Sequence, residues 1–272
     1  MNAYLFDVDG VLNNARSHKI NPELITILIN KLLEGVPLGF ISGRGLLWLR
    51  SGVVKVLENY LNDHPGFKKN ILDNVYISGE FGGATCIHEN GIRKEFVNKE
   101  FTIPEEVKRG LHLVSFQYSD YVFVVTEKQT TFTVVANEHI KEEDFQARKN
   151  DMIEDYKQII APYPELEVHS DRVAINIRYK KANKGYATDM FLSWLKEKGF
   201  APEKYIVFGD SPSDLEMGEE LQKRQLPFEF IFVGEQSELG NTKPQFPLTI
   251  TKGHCDEGTL EYFSQNKAYE KF

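Results

Sequence analysis

The chain predicts an α/β protein, a parallel sheet with helices on its faces, interrupted by an inserted α+β unit. Three observations carry this. Near-continuous apolar runs alternate with helical patterns over the first 79 residues. Hairpin signals and two helical stretches, the second of them charged, replace that pattern in the middle of the chain, and it resumes after residue 180.

Taken in order, residues 2 to 8 read as a buried strand. Asn21-Pro22-Glu23 supplies an N-cap, a first-turn proline and a first-turn acid ahead of Leu24, Ile25, Leu28, Leu32 and Leu33, and Gly35 closes that helix. VPLGFI at 36 to 41 is the second strand, followed by SGRG, a helix from about Leu46 to Leu61, and the strand NVYIS at 74 to 78. Asn90-Gly91, between short alternating runs, signals a hairpin that opens the inserted unit. A helix at 104 to 116, the strands YVFVVTE and TFTVVAN, a helix over 142 to 160 and the strand RVAINIRY at 172 to 179 complete it. Asn183 then caps a helix over 184 to 198, KYIVFGD and LPFEFIFVG are further core strands, and the tail from Gly253 to Phe272 predicts one more helix.

The formal net charge of -8 argues against a general nucleic-acid or anionic-membrane partner. Cys86 and Cys255 lie in no metal-ligand spacing, so a disulfide framework is not expected and a reducing compartment fits. No apolar stretch approaches the roughly 18 residues of a membrane span, and the start MNAYLFDVDG is unlike a secretory leader. The expected location is cytoplasmic.

The chemistry lies at the ends of the core strands. Asp7 and Asp9 end the first, Ser42 and Arg44 follow the second, and Asp210 and Asp214 follow a later one. Strand ends of one parallel sheet converge on one crevice, and a cluster of carboxylates there repels itself unless a hard cation such as Mg²⁺ neutralises it.

DVDGV at 7 to 11, FISGR at 40 to 44, the lysine of ANKGYA at Lys184 and GDSPSD at 209 to 214 stand in an order that resembles the four motifs of the haloacid dehalogenase superfamily, on its phosphatase side. The insertion between the second and third motifs resembles the family's type 2 cap, as in Cof-type and sucrose-phosphatase-like members. The resemblance implies a Rossmann-like core over 1–79 and 180–272 and an α+β cap domain over 80–179 that selects the substrate. It implies a Mg²⁺-dependent phosphatase of a small phosphorylated metabolite, a sugar phosphate or phosphorylated sugar acid. A monomer or homodimer is expected. Asp7 would be the nucleophile, and Asp9 the general acid and base, with a pKa nearer neutrality than that of Asp7. Lys184 would balance charge, while Ser42, the Gly43 backbone N–H and Arg44 would bind substrate. The Asp7 carboxylate, the Asp9 backbone carbonyl, Asp210 and Asp214 would hold Mg²⁺. Many relatives carry Asn before the last acid, where this chain has Ser213.

Glu80, in the glycine-rich GEFGG, reads either as a ligand for substrate hydroxyls or as a solvated turn acid. Arg178, Lys180 and Lys181 read as an anion-steering group or a solvated linker. Two other activities fit the same residues, a sugar phosphomutase using both aspartates and a non-catalytic phospholigand-binding protein.

Overall fold

The computed structural model describes residues 1–14, 19–64, 66–67, 69–240 and 242–266, so the end of the predicted tail helix lies outside the described residues. The chain divides into two compact units, Met1–Phe96 with Asn183–Phe272, and Val97–Ala182.

The first unit begins with β1 (Asn2–Asp7), α1 (Pro22–Leu33) and β2 (Leu38–Ile41). The Asn21 side chain caps α1 by accepting the Glu23 backbone N–H at 3.0 Å. The single helix expected next is instead α2 (Leu46–Leu49), a π-helical turn at Arg50–Val54 and α3 (Lys55–Asp63). Ser51 Oγ donates to the Trp48 carbonyl at 2.9 Å and reaches the Leu47 carbonyl at 3.2 Å, competing with the main-chain ladder beside Gly52. β3 (Val75–Gly79), β4 (Ala84–Glu89) and β5 (Ile92–Val97) follow.

In the second unit α4 (Glu105–Gln117), β6 (Val122–Val125), β7 (Phe132–Ala136), α5 (Glu142–Ile160), β8 (Leu166–Ser170) and β9 (Ala174–Tyr179) form a four-stranded antiparallel sheet in the order β6-β7-β9-β8. Val107 and Leu111 of α4 and Phe145, Met152 and Tyr156 of α5 pack on Phe132, Val134, Ile175 and Ile177 in its core. Arg178 is buried here and donates to Glu167 at 3.0 Å.

The chain returns to the first unit with α6 (Lys184–Glu197), β10 (Lys204–Gly209), α7 (Leu215–Lys223), β11 (Phe228–Phe232), β12 (Leu248–Ile250) and α8 (Cys255–Asn266). Eight strands stand in the order β12-β11-β10-β1-β2-β3-β4-β5. β12 through β3 are parallel and β4 runs antiparallel to β3, with Ile77 opposite Cys86. The predicted hairpin thus exists, but it extends the large sheet instead of opening the inserted unit. The first boundary falls at residue 97 in place of 80, because β3 offers an open edge that β4 completes. Alternation along β1 sends Tyr4 and Phe6 to the face covered by α1, α3 and α8, and Ala3 and Leu5 to the face covered by α6 and α7. Among the described residues no helix is long and apolar enough to cross a membrane.

Candidate active site

β1 lies between β2 and β10, and the strand order runs outward from it in both directions, so its carboxyl end is the switch point of the sheet. Asp7 ends β1 in register with Ile41, one residue before Ser42, while Phe6 faces Phe208, two residues before Asp210. The strands therefore deliver these three side chains to one place.

Asp7 is buried, and its Oδ1 accepts from Lys184 Nζ at 2.7 Å. Lys184 starts α6, where Asn183 caps the helix by accepting the Tyr186 N–H at 2.8 Å and the Glu216 carboxylate takes the Lys184 backbone N–H, also at 2.8 Å. The same Nζ forms a close pair with Asp214 Oδ1. Asp214 is fully buried, and its Oδ2 accepts from the Asp210 N–H at 3.1 Å, the Ser211 N–H at 2.9 Å and the Ser211 hydroxyl at 2.7 Å. It is therefore anchored on both oxygens.

Carboxylate oxygens of Asp7, Asp210 and Asp214 lie within 4.8 Å of one another. Burial pushes the Asp7 carboxyl from its ordinary 3.8 up to about 7, against the pull of Lys184 and with repulsion from Asp214 and Asp9 added. Burial, Asp214 and Asp7 likewise raise Asp210 well above the carboxylate range. Burial alone would lower Lys184, but Asp214 and Asp7 outweigh it and hold the ammonium protonated. Asp7, expected to be the more acidic of its pair, is thus itself raised, because burial outweighs its one cationic partner. Three carboxylates against one ammonium, all offering hard oxygen donors, make a set that fits Mg²⁺.

Asp9 stands apart from this cluster. Its two oxygens accept from Arg44 Nε at 2.9 Å and Nη2 at 3.0 Å. Arg44, expected on the substrate, has its fork on Asp9 and its Cζ 4.5 Å from the centre of the Trp48 ring. Ser42 is buried and its Oγ accepts the Arg44 backbone N–H at 3.1 Å, while its own N–H donates to the Ser78 carbonyl at 2.9 Å. Gly43 faces the Phe81 ring, which a Cβ would approach to 2.6 Å. Glu80 is fully buried in a left-handed turn with φ of 53°, which removes the solvated-acid reading; its N–H donates to the Arg44 carbonyl at 2.9 Å.

Gly10 shows how closely the loop after β1 fits. Its φ is +75°, its N–H donates to Asn13 Oδ1 at 3.2 Å, and an added Cβ would lie 2.0 Å from Asp210 Oδ2. Gly10→Ala is expected to displace Asp210 and lower turnover about a hundredfold. Phosphate-release kinetics with a folding check by circular dichroism tests this.

Sequence reasoning missed Asn13, Trp48, Ser211 and Glu216. Ser211 carried a signal, since Ser-Pro-x-Asp is a capping-box spacing and the box forms at the entry to α7. Trp48 follows Arg44 by four residues, but nothing in the sequence says that the two stack.

A doubly wound α/β core with a buried acid–lysine pair and two further carboxylates at the switch point of its parallel sheet is the class that fold and site define. The chain belongs to the haloacid dehalogenase-like hydrolases, whose family model matches residues 4–223. Among solved structures, the C-terminal domain of a Candida albicans trehalose-6-phosphate phosphatase superposes with a TM-score of 0.71 at 15% identity, covering 98% of this chain and 93% of that one. An Aspergillus fumigatus trehalose-6-phosphate phosphatase matches with a TM-score of 0.55 at 19% identity over 99% and 93%. The Synechocystis sucrose-phosphatase, in complex with sucrose and phosphate, matches with a TM-score of 0.57 at 12% identity over 97% and 98%. No curated protein sequence matches the chain.

Proposed function

We propose that the protein is a Mg²⁺-dependent phosphatase of a small phosphorylated metabolite, a sugar phosphate in the first instance, working through an aspartyl-phosphate on Asp7. The observation that carries this reading is the difference in surroundings between two neighbouring aspartates. Asp7 is buried against Lys184 within the acidic cluster, while Asp9 is held outside it on Arg44. A mere binder of phosphate has no use for a nucleophile beside a separately held proton carrier. The phosphatases of disaccharide phosphates among the structural neighbours support the substrate class.

In the first step an Asp7 oxygen forms a bond to phosphorus as the bond from phosphorus to the leaving oxygen breaks, and Asp9 gives that oxygen its proton. In the second, water attacks phosphorus, Asp9 takes a proton from it, phosphate leaves and the Asp7 carboxylate is restored. Lys184 keeps its proton throughout and offsets charge on Asp7 and the phosphoryl oxygens. Ser42 and the Gly43 N–H hydrogen-bond those oxygens. Asp7, Asp210, Asp214 and the Asp9 carbonyl would hold Mg²⁺, which supplies Lewis-acid neutralisation of charge between nucleophile and phosphoryl group. Selection of the leaving group is assigned to the inserted unit.

The test is phosphate release from a panel of sugar phosphates, phosphoglycolate and nucleotides, with Mg²⁺ and with chelator. Release that needs Mg²⁺ and is fastest with a sugar phosphate is expected. Release indifferent to chelator, or none across the panel, contradicts the reading.

A further inference from the structure

We propose that Arg44 is the positioning residue for Asp9, and that Trp48 fixes Arg44 in that role; this rests on the phosphatase reading above. Three sets of contacts point to it. The fork of Arg44 grips both Asp9 oxygens, at 2.9 and 3.0 Å, a planar two-point contact that sets the orientation of the carboxylate as a lysine's single charge does not. The guanidinium lies 4.5 Å over the Trp48 ring, so one face is held on the indole while its edge holds Asp9. The backbone of Arg44 is tied at both ends, its N–H on Ser42 Oγ at 3.1 Å and its carbonyl on the Glu80 N–H at 2.9 Å.

The platform under this arrangement is built into the helix. Trp48 packs against the core cluster and precedes the π-helical turn at Arg50–Val54, a distortion often found beside functional sites. Gly52 in that turn faces the indole, where a Cβ would stand 3.3 Å from the ring. The need for a positioner follows from the charges nearby. A cation among Asp7, Asp210 and Asp214 would also attract the Asp9 carboxylate, and a carboxylate drawn into that cluster is lost as a proton carrier. Arg44 supplies the competing charge that keeps Asp9 out.

The experiment compares wild type with Arg44→Lys, Trp48→Leu and Arg44→Ala, the last with and without millimolar guanidinium. It uses a sugar phosphate in the steady state and p-nitrophenyl phosphate in rapid mixing. Nitrophenolate leaves without needing a proton, so the first step bypasses Asp9 while the second still requires it. The expected result for Arg44→Lys is a kcat about a hundredfold lower with KM within about twofold of wild type. With p-nitrophenyl phosphate a burst of one nitrophenolate per enzyme should remain, followed by slow turnover. Trp48→Leu should show the same pattern more weakly, and guanidinium should restore part of the Arg44→Ala loss. A raised KM with kcat unchanged, or a burst slowed as much as the steady state, would make Arg44 a phosphate ligand and overturn the proposal. Equal kcat in all variants overturns it as well. A wild type that releases no phosphate removes the phosphatase reading and this role with it, a pattern distinct from failure in the variants alone.

Discussion

Asp7→Asn is expected to lose phosphatase activity by a factor on the order of 10⁴ or more while the fold is kept, because the amide is a far weaker nucleophile and no other group can take its place on phosphorus. The isosteric change leaves β1 undisturbed, since only the Oδ1 contact to Lys184 changes character. A second readout separates chemistry from folding. The carboxyl is raised from 3.8 to about 7, so between those values the folded protein holds this proton more tightly than the unfolded chain does. In chelator, wild-type stability should therefore fall as pH rises from about 4 to about 7. Asp7→Asn should flatten part of that slope, the remainder belonging to Asp210, whose carboxyl is raised for the same reason. Thermal melts in chelator across that range check this. A mutant with the wild-type slope, or with wild-type activity once deamidation and contaminating phosphatase are excluded, contradicts the assignment.

Lys184→Met should be the most destabilising single change at the site. The ammonium bridges Asp7 and Asp214, with side-chain exposures of only 6%, 7% and 0% for the three residues. Removing it leaves two buried acids facing one another, a defect of about 3–5 kcal/mol by comparison with other broken buried pairs. Methionine keeps the stem volume, which separates the loss of charge from the loss of packing. Denaturant unfolding in chelator should show the full loss. Mg²⁺ should recover part of the stability without recovering turnover, since a second cation can offset the carboxylates but cannot take the place of Nζ beside the phosphoryl oxygens. Unchanged stability in chelator would mean that the pair is not formed.

Much of this was legible in the sequence because the same residues obey local and global rules at once. Asn21-Pro22-Glu23 starts α1 and Asn183 starts α6 by side-chain capping, which needs no knowledge of the rest of the chain. The acids could be placed together because each follows an apolar strand, and parallel strands deliver their carboxyl ends to one edge. What failed to show has equally physical causes. β12 is three residues long, too short for any period to appear. The hairpin at Asn90-Gly91 was visible, but its partner was not, since a hairpin's local turn says nothing about which sheet edge it joins. Arg44 was recognisable as a site residue, yet its partner had to be seen in three dimensions. An arginine near a phosphate pocket has a carboxylate and an indole within reach as well, and only side-chain geometry decides among them.

The measurement that bears most directly on the central claim is borohydride trapping during turnover. The protein is quenched while hydrolysing its best substrate in Mg²⁺, reduced, digested and mapped, so that an aspartyl-phosphate is read as homoserine in the peptide that carries it. Homoserine at position 7, absent when substrate is omitted, is the predicted result. Turnover with no homoserine at position 7, or with the label on Asp9 or Asp210 instead, would contradict it.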